Sequence, residues 1–514
     1  MRTDKALKNS FMEIASNIIL IVFAFVIKRV FNNVLGPEYL GVNGLFTSLI
    51  SGLCIVELGF GNAIIYNMYR PVAENNIPQI KILLNFYKKI YHIIALGIFG
   101  IGLAIIPFVE LFVGETSIDI NLKLIFFMYI IDVVVTYLAA YKRSMLYVNQ
   151  QSYITTFVHT SVIVATYSLQ IAVLVLTRSF YAYLIVSICF RLIENFAINC
   201  IVNKKYPYVL EATSEKPDNE TITDIKQKVK GLIFHNLSSF LVSGTDNIII
   251  SVVPGLGVII VGVYSAYSLI TSKFIYIVNS IFNSLTSTVG NLLVDKNKDE
   301  NKIYGTFKNL FLINSWVYIF AAISFYYISF PFIELWMGKT FVLDKITVLV
   351  ITLNLFINGF RAPFICFKNA AGIFYEDRFV PVVESIVNLV VSVVLAMTLG
   401  LKGVLLGTIT SKMVLYSYTY PKFIYKNLFN KRTAVYIMDI AVKLVQFTIA
   451  FIITGVFIQH INTANVILNF IYRTIVCLAV PNMFMLAVNF KSEEFDFIKL
   501  LLNKIFGKIF KKFS

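Results

Sequence analysis

The sequence predicts an all-α polytopic membrane protein of about fourteen transmembrane helices, two six-helix lobes with two helices added at the C-terminus. Three observations predict it. Apolar residues make up 58% of the chain and charged residues 14%, with mean hydropathy +0.77, whereas a soluble domain is about a quarter charged. About 20 apolar residues cross the hydrocarbon layer, and the chain divides into roughly fourteen such runs with no large soluble remainder. The octapeptide Pro107-Phe-Val-Glu-Leu-Phe-Val-Gly114 recurs as Pro331-Phe-Ile-Glu-Leu-Trp-Met-Gly338, each difference a swap between apolar residues.

The two copies are 331 − 107 = 224 residues apart and close the third and ninth runs. A second match keeps the order at nearly the same offset: Gly41-Val42 with Phe46 and Ser48-Leu49-Ile50 resembles Gly262-Val263 with Tyr267-Ser268-Leu269-Ile270. A duplicated half with an even number of crossings re-enters the membrane in the same orientation, which predicts a pseudo-two-fold along the membrane normal and a rocking transporter.

Span one, about residues 11–35, carries Glu13, Asn17 and Lys28 on one face, with Arg29 further round. Gly36-Pro-Glu-Tyr-Leu-Gly41 reverses the chain into span two. There Gly44, Ser48, Ser51, Gly59, Asn62 and Tyr66 share a face suited equally to close helix packing and to lining a cavity. Spans three to six cover roughly residues 85–113, 122–140, 155–176 and 181–202. Their charged exceptions are Asp132, His159, Arg191 and Glu194, the last two spaced for a local structural pair. The N-lobe is 1–203, and the polar stretch 204–230 is a cytoplasmic linker.

The C-lobe, 231–430, opens with span seven and its His235, Asn236 and Asp246. Span eight is the most polar, with Tyr264, Ser268, Thr271, Ser272, Asn279, Asn283 and Thr286 on one face and Lys273 near its edge. Span ten stripes Asn354, Asn358 and Arg361; span eleven stacks Glu384, Asn388 and Ser392 at i, i+4. Arg361 and Glu384 lie at similar depth and can pair. A lone Arg in lipid costs several kcal/mol, so Arg361 must face protein, water or an anion. Spans thirteen and fourteen, within 431–490, have no counterpart in the first half. In the tail 491–514, Ile498, Leu501, Leu502, Ile505 and Ile509 lie opposite Lys499, Lys504, Lys508, Lys511 and Lys512, the pattern of an amphipathic helix on an anionic leaflet.

Net charge +16 does not indicate nucleic acid, because the Lys and Arg sit in short loops. Alternate loops hold most of them, which places both termini in the cytoplasm of a cell-membrane protein. Cys54, Cys189, Cys200, Cys366 and Cys477 form no CxxC, so neither disulfide nor metal is expected. No Walker loop, HExxH or metal spacing appears, and an enzyme is not expected.

Arg29-Val-Phe-Asn-Asn-Val-Leu-Gly-Pro-Glu-Tyr-Leu-Gly-Val42, Glu57-Leu-Gly-Phe-Gly-Asn62, and the run from Ala371-Gly-Ile-Phe through Glu384-Ser-Ile-Val-Asn388 to Gly403-Val-Leu-Leu-Gly-Thr408 carry a family likeness. Over its length the chain resembles the polysaccharide-transport branch of the multidrug/oligosaccharidyl-lipid/polysaccharide (MOP) exporter superfamily, which includes O-antigen, capsule and teichoic-acid repeat-unit flippases. The resemblance implies two lobes opening alternately and turning a polyprenyl-pyrophosphate-linked oligosaccharide between leaflets, with no cofactor beyond a coupling proton or sodium ion. Its expected partners are the lipid-linked glycan, membrane lipids and a neighbouring polysaccharide polymerase or glycosyltransferase. Arg29 and Arg361 suit bidentate contacts to a diphosphate, Lys28 and Lys273 point charges, and Asn62, Asn354, Asn358 and Tyr264 sugar hydroxyls. Glu57, Asp246 and Glu384 are the candidate coupling carboxylates. They also keep open a cation-coupled multidrug exporter of the same superfamily; a non-transporting scaffold for envelope synthesis is a third reading.

Overall fold

The structure, a computed structural model, describes residues 2–211, 213, 215–294, 300–373, 376–460, 465–500 and 503. It stops at the backbone for 2–7, 10, 11, 56, 58, 59, 62, 228, 231–235 and 243. Span one is α1 (Arg2–Leu35). Span two is α2 (Pro37–Leu53) and α3 (Glu57–Ala73), joined by the tight turn Cys54–Val56. Span three is α4 (Ile77–Ile105) and α5 (Val109–Val113); span four is α6 (Leu122–Tyr137) and α7 (Ala140–Val148). Then come α8 (Ser152–Thr177), α9 (Phe180–Lys205), and α10 (Asn219–Ser243) with α11 (Asp246–Val252) as span seven. Spans eight to eleven are α12 (Val258–Leu293), α13 (Glu300–Met337), α14 (Lys345–Ala370) and α15 (Val380–Leu399). α16 (Leu401–Val414) runs into the π-helical Leu415–Lys426 as span twelve, and α17 (Thr433–Gln459) and α18 (Val466–Asn489) close the series.

Among the described residues ten segments are long and apolar enough to cross a membrane singly, and α6 with α7, bent by 43°, makes one more. The three that remain of the expected fourteen are spans two, seven and twelve, whose helices are interrupted. Interrupted backbone survives at membrane depth only where protein or water meets its freed polar groups. Glu57 and Asp246 stand at two of these breaks, each the first residue of the resumed helix. The stretch read as a linker is partly helical, since Asp218 caps α10 through the Thr221 amide, 2.7 Å away.

Two compact units divide at Ser265/Ala266, inside α12, so span seven and the first turns of span eight belong with the N-terminal unit. In that unit Ile64, Met68, Leu83, Tyr87, Met145 and Val202 are core residues. Leu96 and Leu176, 72% and 82% exposed, belong to the outer faces, where lipid takes the place of a packing partner. The Glu38 carboxylate ties the loop after α5 to the start of α2, accepting from Thr116 Oγ1 (2.7 Å), Ser117 N (2.8 Å) and Ser117 Oγ (2.5 Å).

In the C-terminal unit, Phe307, Phe311, Phe364 and Tyr420 build an aromatic core, with Phe364 stacked on Tyr420 at 4.4 Å between ring centroids. The two added helices are held on α13: from α18, Arg473 Nη1 donates to Tyr327 O (3.0 Å) and Asn482 Oδ1 accepts from Trp316 Nε1 (2.8 Å), and on α17 Phe451 O accepts from Tyr327 OH (3.1 Å). Phe356 stacks on Phe447 at 4.0 Å. The amphipathic stripe expected in the tail falls almost wholly outside the described residues.

Both octapeptides end a helix alike. Gly114 (φ 71°) and Gly338 (φ 98°) occupy the left half of φ space that favours glycine. Their amides return to Glu110 O (2.9 Å) and Glu334 O (3.1 Å). Each Glu then meets a following lysine, Glu110 with Lys123 at 3.2 Å and Glu334 with Lys339 at 3.7 Å. Pro107 lies in a tight turn that breaks span three, whereas Pro331 is accommodated within α13.

Candidate functional site

The residues singled out in the sequence fall into separate polar clusters. In the N-terminal unit, the Tyr264 hydroxyl is hydrogen-bonded to Asp246, and Asn247 Nδ2 donates to Ser48 Oγ at 3.0 Å. Lys28 Nζ donates to Ser265 O at 2.6 Å, so its charge is directed to a backbone carbonyl on α12. Arg29 is exposed. Glu57 accepts from Tyr91 OH at 3.5 Å. The side chain of Asn62 lies outside the described residues.

The first turns of span two pack closely at Gly41 and Gly44, whereas Ser51 and Tyr66 further along the expected small-residue face are exposed. A Cβ built on Gly41 would stand 1.7 Å from Val258 O, and one on Gly262 would stand 2.3 Å from Pro37 O. These contacts are reciprocal: 262 − 41 and 258 − 37 both equal 221, so repeat-equivalent residues meet across a self-complementary interface. Gly44 packs on Val261 and Ser265 in the same register.

In the C-terminal unit, spans ten and eleven bring Asn354, Asn358, Arg361 and Glu384 together. Arg361 Nη1 lies 3.4 Å from Glu384 Oε1, with the arginine side chain 23% exposed and the glutamate 6%. Asn358 Nδ2 donates to Asn354 Oδ1 at 3.3 Å. Asn388, completely buried, reaches Thr408 Oγ1 (3.3 Å) and Ser411 Oγ (3.4 Å). Tyr416 and Tyr420, from the π-helical turn, flank Arg361. That turn widens the helix and re-aims both rings inward, a usual place for π-helix.

Sequence reasoning missed Lys412. It is 2% exposed and its ammonium donates to Asn354 Oδ1 at 2.6 Å. The signal that marks Arg361, a fixed charge inside an apolar span, marks Lys412 equally. Near the C-terminal end of α14, Lys368 pairs with buried Asp377. Lys273 makes no hydrogen bond or ion pair among the described residues, and Asn279 and Asn283 further along its helix are exposed. An exposed polar stripe on an apolar helix faces water or a polar ligand, not lipid.

No protein-family model and no curated protein sequence matches the chain. Solved structures do match. The lipid II flippase MurJ in an inward closed conformation is 12% identical with a TM-score of 0.67, over 94% of this chain and 98% of that one. An inward-facing multidrug resistance MATE family transporter of the MOP superfamily is 15% identical with a TM-score of 0.59, over 79% and 94%. A MOP superfamily transporter from Pyrococcus furiosus, described by the reverse polarity of its binding pocket, is 15% identical with a TM-score of 0.53, over 80% and 93%. The chain is therefore a multi-pass membrane protein with the MOP transporter fold.

Proposed function

We propose that this protein is a flippase that turns a polyprenyl-(pyro)phosphate-linked oligosaccharide from the inner to the outer leaflet of the cell membrane by alternating access, for cell-surface polysaccharide assembly. One observation carries the reading: in the C-terminal unit the cations Arg361, Lys368 and Lys412 share two carboxylates, Glu384 and Asp377. An excess of buried positive charge inside a membrane bundle is costly unless an anion meets it. Arg361, partly exposed, presents a guanidinium fork to a diphosphate, and Asn354 and Asn358 beside it suit sugar hydroxyls. The same excess disfavours cationic drugs, so the multidrug exporter is the second reading, supported by the MATE likeness and by the carboxylates Glu57 and Asp246. Polymerase or glycosyltransferase partners, and cytoplasmic termini, belong to this proposal.

The test is translocation of polyprenyl-diphosphate-linked oligosaccharide in vesicles at matched protein content. Losing a charge-assisted hydrogen bond costs about 1.5–3 kcal/mol, so Arg361→Ala should weaken transport roughly tenfold to hundredfold and Arg361→Lys less. Because Arg361 also pairs with Glu384, the double variant Arg361→Ala/Glu384→Ala decides. Full recovery in the double removes Arg361 from the substrate site.

A further inference from the structure

Among the described residues, a connected set of ionisable side chains lies in the N-terminal unit, where α6, α7, α8 and α9 meet. Glu194 Oε1 takes Arg143 Nη2 at 3.0 Å and His159 Nδ1 at 3.1 Å. The expected local pair, Arg191 Nη1 to Glu194 Oε2, is the loosest link at 3.7 Å, and Arg191 Nη2 stands nearer Asp132 Oδ2, at 3.4 Å. Arg143 Nη2 also donates to Asn195 Oδ1 (3.1 Å), whose Nδ2 is fixed on Val135 O (2.6 Å). Four helices are thus clasped by one carboxylate and its neighbours.

Charge and tautomer define what this cluster can bind. Two guanidinium groups balance two carboxylates while His159 is neutral. An ionised carboxylate only accepts, so the neutral ring must carry its hydrogen on Nδ1, which leaves the Nε2 lone pair as the open basic position. His159 is also the accessible member: its side chain is 43% exposed, against 25% for Arg191, 21% for Arg143, 20% for Asp132 and 2% for Glu194. Asp132 Oδ1, Arg143 Nε, Arg191 Nε and Glu194 Oε2 have no hydrogen-bond partner among the described residues, so the cluster has spare donors and acceptors with which to rearrange. On α1, which also packs along α8, Lys8 lies over the Tyr153 ring, Lys28 bonds Ser265 O, and Glu13 is exposed. Tyr167, on α8 itself, lies within the field of Arg191.

We propose that His159 Nε2 is a proton-binding site that couples protons to movement of the α6–α9 bundle, separate from Glu57, Asp246 and Glu384. The coupling role rests on the transport reading; the proton site does not. A proton on Nε2 makes the ring a cation, tightens its bond to Glu194 and loosens the hold of Glu194 on Arg191, which turns toward Asp132. Nothing is oxidised or transferred beyond that proton.

The full-length protein in nanodiscs, with labelled histidine, tests this by NMR. The chain has four histidines, so the His159 signal is assigned by its loss in His159→Gln. That signal should respond to pH, and Glu194→Gln should move the midpoint of the response by at least about half a pH unit. Asp132→Asn supplies the same comparison if Glu194→Gln does not fold. Deuterium uptake in α6–α9 should follow that midpoint in the native protein and lose the dependence in His159→Gln. A His159 signal that does not titrate, or a midpoint indifferent to both carboxylate variants, overturns the proton site and leaves the flippase reading untouched. In vesicles, a transport response to an imposed pH gradient that survives His159→Gln overturns the coupling role.

Discussion

A lysine buried to 2% exposure inside a membrane bundle needs partners, and Lys412 has one in Asn354 Oδ1 at 2.6 Å. A hydrogen bond to a charged group is worth about 1.5–3 kcal/mol. Lys412→Met and Asn354→Ala should each lower thermal stability in lipid, and the double variant should cost less than the two together by about that amount. Additive losses would show that the two groups do not act as a pair. The stripe of Asn354, Asn358 and Arg361 and the stack of Glu384, Asn388 and Ser392 were legible from helical spacing alone. Their mutual contact was expected from similar depth on two helices that leave the same turn, and it is present although Arg361 stands nine residues before the end of α14 and Glu384 four after the start of α15. Lys412 was illegible in that scheme because its partner is 412 − 354 = 58 residues away on a helix two removed in sequence. The local pair of Arg191 with Glu194 was legible from i, i+3 spacing and is present at 3.7 Å, but that spacing says nothing of Arg143 and His159 arriving from α7 and α8.

Elements in this bundle are set by glycine where backbones touch. Gly400 (φ 61°) turns the chain, and α16 then lies directly on α15. A Cβ on Gly403 would stand 2.1 Å from Leu395 O, and one on Gly407 would stand 2.5 Å from Ser392 N. Small residues four apart permit such approach in a membrane, where no hydrophobic force drives helices together. Gly403→Ala and Gly407→Ala should each destabilise by about 1–3 kcal/mol, the usual cost of overpacking. Gly97→Ala and Gly100→Ala, with nothing within 4 Å, should be harmless. Equal losses at all four sites, in melting of the detergent-solubilised protein, would refute the packing account. The cap of α14 adds a pH dependence. Partial burial pushes the Asp344 carboxyl up, but the Thr347 hydroxyl and amide and the Lys402 ammonium outweigh it, so its pKa falls below the ordinary value. A lowered folded value means the carboxylate stabilises the cap above about pH 4 and loses that effect as the pH falls through the lowered value. Deuterium uptake at 345–350, corrected for intrinsic rate, should rise on acidification below about pH 4 in the native protein. In Asp344→Asn, whose cap cannot titrate, it should not; identical profiles would dismiss the carboxylate.

At the scale of the whole chain, duplication makes a topological prediction independent of any side-chain contact. Gly114 and Gly338 end repeat-equivalent helices with the same return to a glutamate carbonyl. The reciprocal approach of Gly41 and Gly262 places equivalent residues face to face. Between the two octapeptides lie spans four to nine, an even number of crossings, so the chain must return to the side it left. The lysine- and arginine-rich connections fall on the other side, which the positive-inside rule assigns to the cytoplasm. Single cysteines at the exposed positions 115 and 339, in a background with the five native cysteines replaced, should therefore react with an impermeant maleimide on intact cells. Cysteines at 76 and 427, after spans two and twelve, should react only once the membrane is opened. Labelling of 115 and 339 from opposite faces would require an odd number of crossings between them, so that one of the broken spans four or seven turns back without crossing. Labelling of both from inside would preserve the repeat but reverse the orientation.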